Sequence, residues 1–183
     1  MSDAGDFKVP GYLRSAHLQT ILNTQGPRKW RARRILQRLD STAIELVARD
    51  GTRLLAELDY GVDSDHSALV VLLHGWEGSS RSSYLITTTA LLLAQGFDVL
   101  RVNLRDHGDS HHLNRELFNS TRSPEVASAL QGFVDERDYH HLFLVGFSLG
   151  GSFVLRVAAD AGAELGVSAC VAVCPPVDPA HAM

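Results

Sequence analysis

The stretch "LFLVGFSLGGSFVLRVAAD", residues 142–160, decides the fold class. Its first six residues form an almost unbroken apolar run, which is typical of a strand buried on both faces of a parallel sheet. Ser148 follows between glycines, and apolar residues then recur at helical spacing. The stretch therefore predicts a buried strand, a sharp turn that carries a serine, and a helix.

The same alternation of strand and helix extends upstream and downstream. The apolar run "ALVVLL" predicts a second buried strand, and it ends at His74-Gly75. Further strands are predicted at 97–102, 142–147 and 169–174, and helices at 83–95, 123–134 and 149–159. Alternation at these lengths predicts an α/β fold, a mostly parallel sheet with helices on both faces.

Two local signals refine this fold. Strand-like runs lie on either side of Asp50-Gly51, a dipeptide that favours a tight turn, so an antiparallel hairpin is expected there. Ser123 precedes Pro124 at the start of the predicted helix 123–134 and is expected to be its N-cap.

Length, charge and cysteine spacing limit the classes of protein. With 183 residues and a net charge of -4, the chain predicts one soluble domain without the overall basic bias of nucleic-acid binders. Cys170 and Cys174 would lie about 13 Å apart in one strand, too far for a disulfide, and are expected to be reduced core thiols. With neither a signal peptide nor an apolar run of spanning length, the sequence favours a cytoplasmic location.

Ser148 is the centre of a Gly-x-Ser-x-Gly pattern with Gly146 and Gly150. Small neighbours are needed where a strand and the following helix approach closely, and the turn then holds the hydroxyl at the carboxyl edge of the sheet, where ligands bind in open parallel sheets. The alternative is a structural serine that only caps the helix.

Several motifs together resemble the α/β-hydrolases. They are "GFSLGG" around Ser148, "HGWEG" after the strand 68–73, and "NLRDHGDS" after the strand 97–102, while the N-terminal "PGYLRSAHLQT" resembles the opening of the YheT-like branch. This resemblance implies a serine hydrolase of carboxylic esters that needs no cofactor and no metal. Ser148 would be the nucleophile, and the backbone N–H groups of Trp76 and Leu149 would form the oxyanion hole.

The sequence departs from this family in two places. Asp106 replaces the usual glycine in "NLRDHGDS", which a left-handed turn would tolerate because aspartate adopts positive φ more readily than most residues. Only 35 residues follow Ser148, although the family order is serine, acid, then histidine. Asp178 is a weak candidate for the acid and His181 for the histidine, since both lie at the terminus.

The chain is accordingly predicted to be truncated after the sixth strand and inactive by itself. Residues 1–40 would form an N-terminal segment with a basic helix, and residues 41–183 an incomplete α/β-hydrolase core domain. The substrate would be a small-molecule or lipid-like ester. The alternative is a catalytically dead domain of this fold that binds a ligand or partner.

Two charged clusters allow further interpretations. His74, His107, His111 and His112, with Asp106 and Asp109 among them, match no metal-ligand spacing, and a metal site is disfavoured. The run "RKWRARRILQR", residues 28–38, holds six of the seventeen basic residues around Trp30. It favours a solvated helix that packs on the domain, with contact to an anionic membrane surface as the alternative.

Overall fold

The structure, a computed structural model, describes residues 8–178, without the side chains of Thr20, Asn23, Thr24 and Gln25. The helices are α1 (Ala16–Gln25), α2 (Pro27–Leu36), α3 (Ser83–Leu93), α4 (Ser123–Asp135) and α5 (Leu149–Ala161). The strands are β1 (Thr42–Val47), β2 (Arg53–Asp59), β3 (Ala68–Leu73), β4 (Asp98–Val102), β5 (His141–Phe147) and β6 (Val167–Val173).

The described strands form one sheet in the order β1-β2-β4-β3-β5-β6. β1 and β2 pair antiparallel, β2 pairs antiparallel with β4, and the neighbours from β4 to β6 are parallel. The central strand β3 therefore ends between the ends of β4 and β5. The loops that follow these three strands consequently meet at one edge of the sheet.

Helices cover both faces of the sheet, as the sequence predicts. α4 and α5 pack on one face, where Leu130, Phe133, Phe153 and Val157 belong to the larger apolar cluster. α3 packs on the other face and places Leu85 in a smaller cluster with residues of β3 and β4. This confirms the α/β architecture with a mostly parallel sheet.

The predicted hairpin is present, with a loop longer than two residues. β1 and β2 pair from Thr42–Leu58 to Val47–Arg53, and residues 48–52 connect them. The Ala48 N–H donates to the Thr52 carbonyl at 2.8 Å. Gly51 adopts a φ of 84°, which glycine reaches without steric cost.

Two local expectations are wrong. Helix α4 begins at Ser123 itself and Arg122 occupies the N-cap position, so Ser123 lies buried in the first turn and caps nothing. The two cysteines are free thiols but are not both in the core. β6 ends at Val173, which leaves Cys174 exposed beyond the strand, while Cys170 is half-buried beside the larger cluster.

A fully buried arginine joins strand β2 to the loop that follows β3. Arg101, on β4, contacts Asp59 at 2.8 Å and Glu57 at 2.9 Å, both on β2. Its Nη1 also donates to the Ser80 carbonyl at 2.9 Å, in the loop after β3. Two carboxylates and a carbonyl thus pair with the buried guanidinium, and removing the guanidinium would leave the buried Asp59 carboxylate without this counter-charge.

The last described strand, β6, pairs on one side only. Its other edge has no partner strand within residues 8–178. On the sheet face away from α5, no described element covers Val171, whose surface is 53% exposed, or Val173. None of the described helices is long and apolar enough to cross a bilayer.

We expect the exposed edge and face of β6 to drive self-association of this 183-residue chain. An unpaired apolar edge strand is a template for pairing with another chain, and a charge on it opposes that pairing. Val171→Lys should lower the apparent mass measured by light scattering at high protein concentration. Val62→Lys, which changes a valine in a loop that is at least as exposed, is the matched control and should leave the mass unchanged. An equal effect of both variants would contradict a role of β6.

Candidate functional site

Ser148 lies on the turn between β5 and α5 in an unusual backbone conformation. Its φ is 50° and its ψ is -117°, a region that non-glycine residues rarely enter. Backbone strain of this kind costs about 1 to 3 kcal/mol and persists only where the surroundings impose it. The residue is exposed and occupies the N-cap position of α5, but its side chain makes no capping hydrogen bond to the helix.

The two glycines of the motif are required by the closeness of the backbones. A Cβ on Gly146 would lie 2.1 Å from the Gly150 carbonyl oxygen. A Cβ on Gly150 would lie 2.4 Å from the His74 carbonyl oxygen and 2.5 Å from that of Leu73. The first turn of α5 therefore contacts the carboxyl end of β3 directly, and only glycine fits there.

The loop 74–78 lies beside the serine. A Cβ on Gly75 would meet the Ser148 Cβ at 3.3 Å, so the two backbones are in contact at this point. The next residue is Trp76, and the residue after Ser148 is Leu149 at the start of α5. Neither the Trp76 N–H nor the Leu149 N–H has an acceptor within residues 8–178. Two available backbone donors thus flank Ser148.

Two side chains fix the loop 74–78 from either side. The Gly75 N–H donates to the Tyr84 hydroxyl at 2.9 Å. His74 is fully buried; its Nδ1 donates to the Gly75 carbonyl at 2.7 Å, and its Nε2 accepts from the Leu104 N–H at 3.1 Å. These partners require the neutral imidazole. Burial, and to a lesser extent the nearby His107, lower the pKa of His74 to about 4.

The loop after β4 contains a residue with positive φ at the position where aspartate replaces the glycine of the family. Asp106 adopts a φ of 60°, as expected for a left-handed position where aspartate replaces glycine. The His111 Nδ1 donates to the Asp106 carboxylate at 2.6 Å, and this hydrogen bond is the main cause that lowers the pKa of Asp106. Asn103 accepts from the Ser80 N–H at 2.8 Å and so joins this loop to the loop after β3.

The remaining histidines of the cluster do not converge on one point. His107 is buried, donates from Nδ1 to the Arg105 carbonyl at 2.8 Å, and packs against His74 with ring centroids 5.0 Å apart. His111 is paired with Asp106, and His112 is exposed. Among residues 8–178, no three such side chains are grouped to hold a metal ion.

An aromatic side chain from the long connection before α4 borders the site. Phe118 contacts Trp76, His107 and Phe153, with ring centroids 5.9, 4.8 and 6.0 Å away. The Trp76 surface is 66% exposed next to it. Sequence patterns single out neither Phe118 nor Tyr84, because each acts through a contact distant in sequence.

The weak candidate acid lies at the end of the described chain. Residues 175–176 pack against the start of α5, where the Ser152 hydroxyl donates to the Pro176 carbonyl at 2.9 Å. Asp178 follows two residues later and is exposed. His181 lies outside the described residues.

We predict that Gly150→Ala strongly destabilises the protein. Its Cβ would overlap two backbone carbonyls that cannot move independently, so the free energy of unfolding should fall by about 3 kcal/mol or more. The control is Gly132→Ala in α4, where a Cβ would lie 3.8 Å from the nearest atom, Val47 O. That variant should gain up to about 1 kcal/mol in urea denaturation, because alanine is the better helix former. A stable Gly150→Ala variant would contradict the close contact.

We predict that His74 makes stability depend on pH. Below pH 6.5 the imidazole takes up a proton in the unfolded chain, whereas in the folded chain its pKa is about 4. The unfolded state then binds more protons, so the free energy of unfolding falls from pH 7 to pH 4, by up to about 3 kcal/mol from this group.

His74→Gln should be less stable at pH 7 and should lose less further stability down to pH 4, as measured by urea denaturation at each pH. The control His140→Gln changes an exposed imidazole and should keep the wild-type slope. Identical slopes for wild type and His74→Gln would contradict a buried neutral imidazole at this position.

Solved structures with the same architecture include several esterases. The esterase Pf2001 from Pyrococcus furiosus superposes with a TM-score of 0.65 at 19% identity, over 77% of this chain and 51% of that one. XC6422 from Xanthomonas campestris, described as a serine hydrolase without a lid, gives 0.63 at 23% identity, over 76% and 63%. Est1E from Butyrivibrio proteoclasticus, solved with ferulic acid, gives 0.62 at 21% identity, over 73% and 53%.

These likenesses show a common fold, and the chain spans between about half and two thirds of the length of each of the three proteins. Sequence comparison extends the likeness to the family level. A profile of the family described as "alpha/beta hydrolase fold" matches residues 68–183, which include β3, the loop 74–78 and the turn at Ser148. The chain therefore belongs to the alpha/beta hydrolase fold family.

Proposed function

We propose that this chain is part of a serine hydrolase that acts on carboxylic esters through an acyl-enzyme intermediate. One observation carries the proposal: the exposed hydroxyl of Ser148 lies on a strained turn, and the N–H groups of Leu149, which follows it, and of Trp76, in the loop that contacts Ser148, have no acceptor in the described chain. Strain and unused donors are costly unless a ligand uses them, and esters supply the carbonyl oxygen that such donors bind.

The proposed reaction follows from these positions. The Ser148 Oγ attacks the ester carbonyl carbon while a base removes its proton, and the carbonyl oxygen becomes an oxyanion that accepts from the N–H groups of Trp76 and Leu149. Collapse of this intermediate expels the alcohol with the transferred proton and leaves an acyl group on Ser148. Water then attacks the acyl carbon, releases the acid and restores the serine.

The surroundings of Ser148 favour an apolar acyl group. The exposed indole of Trp76 and the ring of Phe118 border the loop beside the serine, and Phe147 lies next to it in the chain. Apolar and aromatic walls around a few polar groups are typical of small-molecule sites. A lipid-like or aromatic ester fits such walls better than a charged one.

The base that activates Ser148 and the acid that pairs with this base are proposed to come from residues outside this 183-residue chain. His74 is unsuited to the role, because it is buried, is held by two backbone partners and has a pKa of about 4. The proposal therefore includes a C-terminal continuation of the chain that supplies an acid and a late histidine. It also includes the YheT-like assignment, which the N-terminal "PGYLRSAHLQT" suggests. The shorter span of the chain relative to the esterases supports this continuation.

We predict that a fluorophosphonate probe labels Ser148 rapidly only when the chain carries that continuation. The Oγ would displace fluoride from phosphorus, and its rate depends on a base that takes the serine proton. Labelling is followed by mass spectrometry of the peptide that holds residue 148. Ser148→Ala should abolish it, and Ser168→Ala, which removes an exposed hydroxyl on β6, should not.

The 183-residue chain alone should show no Ser148-dependent hydrolysis of p-nitrophenyl acetate above background. Loss of the histidine in a complete serine triad lowers kcat by about 10⁶-fold, which places turnover below detection. Hydrolysis by this chain that Ser148→Ala removes would contradict an external base. An extended chain that neither labels nor hydrolyses would favour the binding domain instead.

A further inference from the structure

Charge is strongly segregated along this chain. Residues 7–39 contain eight Lys or Arg and no Asp or Glu, whereas residues 40–183 contain nine Lys or Arg and nineteen Asp or Glu. An acidic protein thus has an N-terminal segment that is basic throughout. Asymmetry of this kind points to an anionic partner for the basic segment.

Helix α2 shows how the basic side chains are presented. Ala32 is buried and Ile35 and Leu36 are half-buried, so this side of α2 packs on the domain, where α2 contacts α3. Lys29, Arg31 and Arg33 are exposed and make no salt bridge with any carboxylate in the described part of the chain. Their charges are therefore available to an external anion.

An aromatic ring lies among these charges. The surface of Trp30 is 59% exposed, and the Arg34 guanidinium lies 3.6 Å from the centre of its ring. By helical spacing Trp30 is on the side of α2 opposite Ala32. A tryptophan beside arginines is the combination found where proteins contact the headgroup region of a bilayer, because the indole is apolar in body and polar at its N–H.

The segment before α2 adds further exposed apolar side chains. Tyr12 has 72% of its surface exposed, and Leu18 on α1 has 45% exposed. No carboxylate is present in this stretch either. Residues 8–34 therefore combine positive charge with exposed apolar surface, which we call the N-terminal basic face.

We propose that the N-terminal basic face binds the surface of an anionic phospholipid bilayer. Basic residues contribute attraction to anionic headgroups, and exposed apolar side chains enter the interface between headgroup and acyl chain. A nucleic acid would use the charges but would leave Leu18 without a partner. The acidic remainder of the chain would be directed away from the surface. The proposal concerns binding and does not depend on the proposed ester hydrolysis.

The test is sedimentation of the full chain with sucrose-loaded vesicles. Vesicles of phosphatidylcholine alone are compared with vesicles that contain about one third phosphatidylglycerol, at low and at high salt. We expect binding to the anionic vesicles, at least tenfold weaker binding to the neutral ones, and loss of binding as salt rises. Equal binding to both vesicle types, or none to either, would overturn the proposal.

Variants locate the binding face. Lys29→Glu with Arg33→Glu should lower the partition onto anionic vesicles at least tenfold, because two attractions become repulsions. Arg49→Glu with Arg115→Glu makes the same charge change at exposed positions outside the face and should have less than a twofold effect. Equal losses for both pairs would show attraction by net charge alone and would overturn the proposal.

The apolar part is tested separately. Trp30→Ala should weaken binding severalfold, whereas Leu91→Ala, which truncates an exposed leucine on α3, should not. Circular dichroism of every variant checks that the fold is retained. Tighter binding to a short RNA or DNA duplex than to anionic vesicles at the same salt would assign the face to nucleic acid and contradict this proposal.

Discussion

The close contact between the first turn of α5 and the carboxyl end of β3 is the constraint on which the rest of the structure depends. Gly150 lies against the carbonyls of Leu73 and His74, with no space for a side chain. This contact holds the first turn of α5 against the sheet, and Ser148, which precedes the helix, adopts a φ of 50° and a ψ of -117° there. The exposed position of the Ser148 hydroxyl thus accompanies close backbone packing that tolerates no added side chain at Gly150.

The surrounding loops are fixed by groups that are themselves buried or paired. His74 links its own loop to the start of the loop after β4, and it can do so only as a neutral ring. Tyr84, from α3, holds the same loop from the other side of the sheet. These contacts leave the Trp76 N–H without an acceptor in the described chain, beside Ser148.

The sequence predicted the parallel part of the fold well because its strands are short, mainly apolar runs that alternate with helical patterns. The strand 68–73 was predicted at its exact bounds, and the positive φ of Asp106 is one that aspartate was expected to tolerate. Predictions from local sequence patterns were wrong or incomplete where a contact distant in sequence determines the position of a residue. Ser123 does not cap α4, because the helix begins at Ser123 and Arg122 takes the N-cap position. Phe118 borders the site from a loop whose sequence has no periodic pattern. The roles of Ser148 and its neighbours stay predictions, since no ligand contact tests them.

The buried guanidinium of Arg101 makes the surroundings of Ser148 sensitive to substitutions in the distant hairpin of β1 and β2. It joins β2, through Asp59 and Glu57, to Ser80 in the loop that also contains Trp76. The hairpin of β1 and β2 is therefore mechanically connected to the edge that holds Ser148, although it contributes no side chain there. Selection for chemistry at that edge would act on hairpin residues as well, so tolerance to sequence drift should be lower in β2 than its peripheral place in the sheet suggests.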